Sequence, residues 1–216
     1  MNNITEIVFI LDRSGSMAGL EADTIGGFNA MLAKQKVVDG KTWVSTVLFD
    51  HVSEVLHDRI PLERVPAMTE RDYSVRGSTA LLDAVGGAIR HIRNIHKYAR
   101  PEDVPTKTMF VITTDGMENA SHTYDYDTVR DMIEAQKKRG WEFLFLGANI
   151  DAAAEATRFG IDESMAANYH CDEVGTALNY EVISEAITSV RACAAPLTAD
   201  WKKKIDVDYK KRGGKR

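Results

Sequence analysis

The sequence predicts a three-layer α/β fold, in which helices cover both faces of a mainly parallel, six-stranded sheet. Apolar, β-branched runs alternate along the chain with segments whose apolar residues recur every three or four positions, which is the pattern of βαβ units. The first run, 7–11, is apolar at every position, as expected of a central strand buried on both faces of a parallel sheet. One doubly wound domain therefore accounts for the chain up to about residue 195.

Six short runs are predicted as strands because they are rich in β-branched and aromatic residues and are bounded by turn residues. They lie at 7–11, 42–49, 52–56, 108–113, 141–146 and 164–169. The third run follows the second after only Asp50 and His51. We therefore expect these two runs to form a hairpin that places one antiparallel strand at the sheet edge.

Five segments are predicted as helices. The fourth is a short segment at 151–159. The faces of the other four, in chain order, are Ile25, Phe28 and Leu32; Leu82, Val85, Ile89, Ile92 and His96; Val129, Met132, Ile133 and Gln136; and Val174, Leu178, Val182, Ala186 and Val190. Gly40, Gly140 and Gly160 follow three of these segments, as glycine commonly does at helix ends. We attribute the glycine pairs at 26–27 and 86–87 to close packing of helix on sheet.

The charge is distributed unevenly between a domain at 1–195 and a basic tail at 196–216. Residues 202–216 contain six Lys, two Arg and two Asp, a charge of +6. Because the whole chain has a net charge of −5, residues 1–201 carry a net charge of −11. Because the tail lacks apolar periodicity, we expect it to be solvated rather than firmly docked, with Trp201 the residue in doubt. A basic segment also attracts polyanions such as nucleic acid, which is the less favoured alternative.

The start of the chain and its cysteine content favour a cytoplasmic protein. The first residues carry no basic leader, and Asp12 interrupts their apolar stretch well short of the ~20 residues that a membrane span needs. Cys171 and Cys193 are too few for a disulfide framework or a CxxC metal site. We expect reduced thiols and no membrane span.

Three loops at the predicted carboxyl ends of the strands, where α/β sheets bind ligands, carry oxygen-bearing side chains. Asp12, Ser14 and Ser16 follow the first strand, Thr79 precedes the second helix, and Asp115 follows the fourth strand. A set of oxygen ligands without His or Cys suits a hard cation such as Mg²⁺ or Mn²⁺. Each loop alone is also typical of turn and capping residues, but their coincidence at one edge favours a metal site.

These motifs, Asp-x-Ser-x-Ser, the threonine of Gly-Ser-Thr, and Thr-Asp-Gly, resemble those of von Willebrand factor type A domains. The resemblance implies that Asp12, Ser14, Ser16, Thr79 and Asp115 form a metal-ion-dependent adhesion site. It also implies the strand order 3-2-1-4-5-6 and a metal-dependent protein-binding function, with a partner's acidic residue completing the site. Stand-alone cytoplasmic members from bacteria and phages are the most similar in style. The predicted partner-binding rim consists of Arg13, Ser78, Gly116 and Asn149.

Other functions of α/β folds fit the loops less well. A dinucleotide site needs G-x-G-x-x-G after the first strand, where this chain has Asp12 and a lone Gly15. Ser16, Asp115 and His170 follow the order of an α/β-hydrolase triad, but the glycines of the nucleophile elbow are missing. A metal-dependent phosphatase with Asp12 as nucleophile lacks its usual second carboxylate. A non-enzymatic binding module is therefore favoured, and a hydrolase is the alternative.

Overall fold

The computed structural model of the chain describes residues 4–192 and 196–214, which contain one six-stranded sheet and six α-helices. The strands are β1 (Ile4–Asp12), β2 (Lys41–Phe49), β3 (Ser53–Pro61), β4 (Lys107–Thr114), β5 (Trp141–Ala148) and β6 (Ala166–Tyr169). The helices are α1 (Glu21–Lys36), α2 (Leu81–Tyr98), α3 (Tyr126–Lys137), α4 (Ala152–Arg158), α5 (Glu173–Ala192) and α6 (Lys203–Lys211). Over the described ranges, none of these helices has the length and apolarity that a membrane crossing requires.

The sheet has the order β3-β2-β1-β4-β5-β6. β3 runs antiparallel to β2, and every other neighbouring pair is parallel. The predicted fold class, the central position of the first strand and the antiparallel edge strand are therefore confirmed. The chain reverses its direction of winding between β1 and β4, and the crevice beyond the carboxyl ends of these two strands is where such sheets bind ligands.

Side chains on β1 alternate between two apolar cores, one on each face of the sheet. Ile7, Phe9 and Leu11 pack with residues of α1 and α5, whereas Val8 and Ile10 pack with α2, α3 and α4. All five residues are at most 1% exposed. Complete burial of such side chains stabilises a fold by about 1.5–3 kcal/mol each, so the hydrophobic effect fixes β1 at the centre of the molecule.

Two elements differ from their predicted form. β3 extends to Pro61, five residues beyond its predicted end, and its pairing with β2 contains two register shifts. The extension is polar, but its side chains have partners: His57 Nδ1 lies 3.0 Å from Thr46 Oγ1, and Arg59 forms an ion pair with the buried Glu6. On α5, Val174 is 59% exposed, so the buried face begins later than predicted.

The glycine pairs serve contacts other than the predicted packing of helix on sheet. A Cβ atom on Gly27 would lie 2.2 Å from the ring of Tyr180 on α5, and one on Gly86 would lie 2.7 Å from the ring of Tyr124. Gly27 therefore permits close approach of two helices, and Gly86 permits close approach of a loop to α2. Gly26 and Gly87 have no atom within 4 Å of the corresponding position.

The tail is docked, contrary to the expectation of a solvated segment. A 3₁₀ turn at Ala199–Lys202 leads into α6, which packs on β6 and α5. Ile205 is 1% exposed within the core on the α1 and α5 face, and Trp201 Nε1 donates a 2.9 Å hydrogen bond to Ser164 O. The prediction failed because one buried isoleucine and one tryptophan anchor α6, which is too short to show a periodic apolar face.

Candidate metal centre

Backbone hydrogen bonds join the three predicted loops at the carboxyl ends of β1 and β4. Gly15 N donates to Gly77 O at 3.1 Å, which ties the loop after β1 to the loop before α2. Asn119 joins that second loop to the one after β4, because its N–H donates to Thr79 O at 3.0 Å and its side-chain oxygen accepts from Thr79 N at 2.9 Å. Two main-chain hydrogen bonds and one to the Asn119 side chain therefore tie the three loops together.

The three predicted hydroxyl ligands meet at one place. The hydroxyl oxygens of Ser14 and Ser16 are 3.1 Å apart. A Cβ atom built on Gly116 would lie 3.4 Å from Thr79 Oγ1 and 3.6 Å from Ser16 Oγ. Two loops thus bring three hydroxyl groups close together, and Gly116 of the third loop adds no side chain beside them.

Hydrogen bonds hold the Asp12 carboxylate at the base of this cluster. Its Oδ1 accepts from Ser14 N at 2.6 Å, and its Oδ2 accepts from Thr114 Oγ1 at 2.7 Å and from Asp115 N at 3.2 Å. Tyr73 donates from its hydroxyl to Asp12 O at 2.5 Å. Asp12 is 1% exposed, so its orientation is set by the fold rather than by solvent.

Asp115 is the second buried carboxylate of the cluster, at 3% exposed. Asn149 Nδ2 donates a hydrogen bond to Asp115 Oδ1, and the Cys171 thiol lies near the same carboxylate. Burial raises the pKa of Asp115 above its ordinary value, and the neighbouring negative charge of Asp12 raises it further, against the lowering effects of Cys171 and Asn149. A bound cation would reverse this penalty because it favours the ionised form.

The predicted rim residues are not all on the surface. Ser78 and Asn149 are exposed and Gly116 is half-buried. Arg13 is 2% exposed and donates from Nε to Asp50 Oδ2 at 2.8 Å. Its guanidinium is therefore not accessible to a partner, because it is engaged beneath the loops.

Asp50 links two of these loops from below. It is fully buried and accepts hydrogen bonds from the guanidinium groups of Arg13 and Arg76. Burial raises the pKa of Asp50, but the bonds from Arg76, Val52 N and Arg13 outweigh burial and hold the pKa below its ordinary range. The carboxylate is therefore ionised at neutral pH and ties the loop after β1 to the loop before α2.

Several residues around the cluster were not predicted. Thr114 positions Asp12, Cys171 contacts Asp115, and Tyr73 fixes the main chain at Asp12. The position of Cys171 was accessible from topology, since it follows β6 and the carboxyl ends of parallel strands share one edge of the sheet. Met117, next to Gly116, is 57% exposed beside the candidate site.

The triad suggested by chain order is not assembled. His170 Nε2 lies 3.1 Å from Tyr209 O, and its ring packs against the Tyr209 ring. Among residues 4–192 and 196–214, no hydrogen bond joins His170 to Asp115 or to Ser16. The same described residues contain no group of three or more His, Cys, Asp or Glu placed to hold a metal ion, so any cation here depends on hydroxyl ligands together with two carboxylates.

Solved structures with the same architecture include several adhesion-type proteins. The von Willebrand factor domain of the type V pili tip protein Mfa5 from Porphyromonas gingivalis aligns with a TM-score of 0.61 and 13% identity, covering 90% of this chain and 98% of that one. The chain has the von Willebrand factor type A fold. No protein-family model matches the sequence, and no curated protein sequence matches it.

Two further structures with this von Willebrand factor type A fold contain metal. Proximal thread matrix protein 1 from the mussel byssus, with zinc in its metal-ion-dependent adhesion site, aligns with a TM-score of 0.58 and 14% identity over 85% of this chain. Manganese-loaded TRAP protein from Plasmodium vivax aligns with a TM-score of 0.54 and 15% identity over 82% of this chain and 72% of that one. The chain spans about half the length of the mussel protein, 46%.

Proposed function

We propose that the chain is a protein-binding module whose binding site is completed by a divalent cation, Mg²⁺ or Mn²⁺. The observation that carries the proposal is the clustering of the Ser14, Ser16 and Thr79 hydroxyls beside the Asp12 carboxylate, which also accepts a hydrogen bond from Asp115 N, at the carboxyl ends of β1 and β4. An all-oxygen set of this kind suits a hard cation. The zinc and manganese in two structures of the same fold support a divalent ion at this edge.

The contacts suggest different roles for the five residues. Both Asp12 oxygens already accept hydrogen bonds from the protein, so we assign Asp12 mainly to charge balance and to orienting Ser14. The hydroxyls of Ser14, Ser16 and Thr79 would hold the ion directly, with Asp115 supplying the second negative charge. A divalent cation held by these five groups would keep a coordination position open to one further anionic ligand.

An acidic side chain of a partner protein fits that position. Ser16 and Ser78 are exposed at the edge of the cluster, and Met117 offers an exposed apolar surface next to it. A partner carboxylate would therefore reach the ion while neighbouring partner residues contact the rim at Ser78, Gly116 and Asn149. Specificity would come from the rim, since the ion itself recognises any carboxylate.

Metal binding is tested by thermal unfolding of the wild type in Mg²⁺, Mn²⁺ and chelator. A cation at about 100 times its dissociation constant adds about 2.7 kcal/mol to the free energy of unfolding, which raises the melting temperature of a domain of this size by roughly 5–11 °C. Thr79→Val removes one hydroxyl with little change in shape and should abolish the increase. Thr123→Val, at an exposed threonine outside the cluster, should leave it unchanged.

Partner binding is tested by capture from the native host with Mg²⁺, with chelator, and with the Thr79→Val variant as bait. A partner that is lost in both the second and the third case, and whose binding fails when one of its own acidic residues is changed to the amide, supports the proposal. Absence of any metal-dependent stabilisation at millimolar Mg²⁺ or Mn²⁺ contradicts it. Hydrolysis of a generic ester or phosphate that is lost in Ser16→Ala would instead favour the hydrolase alternative.

A further inference from the structure

A second concave site lies at the amino ends of the parallel strands, where β4 and β5 begin. The cavity has a volume of about 600 Å³, within the range of about 300–1,000 Å³ that is usual for small-molecule sites. β4 is eight residues long and connects the two edges, so the cavity lies roughly 25 Å from the candidate metal centre. None of the residues proposed to bind metal or a protein partner lines this cavity.

The rim of the cavity is strongly cationic. It is lined by Arg93 and Lys97, on the last turns of α2, and by Arg139, which follows α3. No carboxylate of residues 4–192 or 196–214 lines the cavity. All three are exposed, and no carboxylate among the described residues lies within ion-pair distance of any of them. Three positive charges without counter-charges are notable in a chain whose net charge is −5.

Helix ends alone do not account for these charges. α2 and α3 both end beside the cavity, and each helix C-terminus carries roughly half a negative charge. The two ends together offset about one of the three positive charges. About two positive charges therefore remain uncompensated, which would balance the two negative charges of a phosphate monoester dianion.

The floor of the cavity is polar and rigid. Thr108, Gln136 and Trp141 line it and are at most 8% exposed. Trp141 is held by stacking on Phe110, with ring centroids 5.4 Å apart, and by an edge contact with His96. Gln136 Oε1 is buried and accepts no hydrogen bond from the described part of the chain. Because buried acceptors are normally satisfied, this atom points to a ligand group that donates.

We propose that the cavity binds a small phosphorylated molecule. The phosphate lies among Arg93, Lys97 and Arg139, where guanidinium groups offer paired donors that match phosphate oxygens. A hydroxyl or amino group of the same molecule reaches the floor and donates to Gln136. A concave site of this volume suits a small molecule rather than a nucleic-acid backbone, which binds to extended basic surfaces.

The test is calorimetric titration of the full chain with inorganic phosphate and with adenosine 5′-monophosphate. Chelator is present throughout, so that the candidate metal centre takes no part and the two proposals fail independently. We expect saturable binding of one molecule per chain, tighter for the nucleotide because it also carries donors. The double variant Arg93→Gln and Arg139→Gln should weaken binding by more than about tenfold through loss of charge-assisted hydrogen bonds.

Arg90→Gln is the matched control, because Arg90 is exposed on the same helix but does not line the cavity. It should bind the nucleotide as the wild type does, and thermal unfolding will verify that each variant is folded. Lys97→Gln gives a second, independent loss of affinity. The proposal is overturned if neither probe binds at millimolar concentration, if Arg90→Gln weakens binding as much as the double variant, or if duplex DNA binds and the nucleotide does not.

Discussion

Gly116 occupies a position where any side chain would meet two of the candidate metal ligands. Its missing Cβ atom would lie 3.4 Å from Thr79 Oγ1 and 3.6 Å from Ser16 Oγ. The methyl group of Gly116→Ala would therefore make ordinary van der Waals contacts with both hydroxyl oxygens, at the place where the proposed ion would bind. Sequence reasoning assigned Gly116 only to the rim, because closeness of a backbone to side chains of other loops is not visible in a sequence.

We expect Gly116→Ala to weaken Mg²⁺ binding, because its methyl group would take up space beside the Thr79 and Ser16 hydroxyls that the hydrated ion needs. Stability of the metal-free protein should change by less than about 1 kcal/mol, as for most substitutions outside a core. Calorimetric titration and thermal unfolding measure the two quantities. Gly87→Ala, with no atom within 4 Å of the added carbon, is the control, and equal metal affinity in the two variants would contradict the prediction.

Asp115 makes metal-free stability depend on pH in a defined direction. Its pKa is raised by burial and by the Asp12 charge, so ionised Asp115 destabilises the metal-free fold. The penalty is absent below the pKa of an unfolded aspartate and complete above the raised folded value. Asp115→Asn removes it at every pH. We therefore expect the variant to exceed the wild type in metal-free stability by an amount that grows as pH rises through this window.

Unfolding by denaturant in chelator, from pH 4 to pH 8, measures that difference. Addition of Mg²⁺ at neutral pH should reverse the order, because the wild type then gains binding energy that the asparagine variant lacks. Asp131→Asn, at an exposed position on α3, should show neither effect. A stability difference that is independent of pH would contradict the prediction that ionised Asp115 destabilises the metal-free fold.

At the scale of elements, Ile205 is the buried residue of α6, and Trp201 precedes the helix as its second anchor. Ile205 is 1% exposed, whereas Val207 on the same helix is 44% exposed. Ile205→Ala should lower the free energy of unfolding by about 2–5 kcal/mol, the usual cost of such a truncation in a core. Val207→Ala should lower it by less than about 0.5 kcal/mol. Denaturant unfolding compares them, and similar small losses in both variants would mean that α6 is only loosely attached.

Local sequence patterns were sufficient to predict the central strands but not the full length of the outer strand β3. β1, β4 and β5 were predicted because continuous apolar runs bounded by polar residues need no knowledge of their neighbours. The second half of β3 was missed because His57 and Arg59 look like strand breakers until their partners Thr46 and Glu6 are known. Those partners lie on other strands, so only the assembled sheet explains why polar residues extend this one.

At the scale of the whole molecule, stability should decrease from the centre of the sheet to the β3 edge. β1 and β4 are buried between neighbouring strands, while β3 pairs on one side only and has two register shifts. We expect hydrogen-bonded amides of β3 to exchange at least about tenfold faster than those of β1, through local opening rather than global unfolding. Native-state hydrogen exchange measures this, and equal protection in both strands would contradict it.

The candidate metal cluster was predictable at this scale because topology alone brings its loops together. Asp12, Thr79 and Asp115 lie at strand and helix ends that any doubly wound sheet places at one edge. The burial of Arg13 could not be predicted in the same way. It depends on Asp50 lying opposite on a neighbouring loop, a contact that follows from the three-dimensional packing rather than from spacing.

The docking of the tail against β6 has a consequence for how copies of this chain behave toward one another. Lys202 donates a hydrogen bond to Ala166 O and Trp201 donates to Ser164 O, so side chains of the tail occupy acceptors at the start of the outermost strand. Uncovered strand edges pair readily with other chains. We therefore expect a chain cut after Pro196 to uncover these acceptors and to self-associate more readily than the intact chain, which size-exclusion chromatography of the two at equal concentration measures.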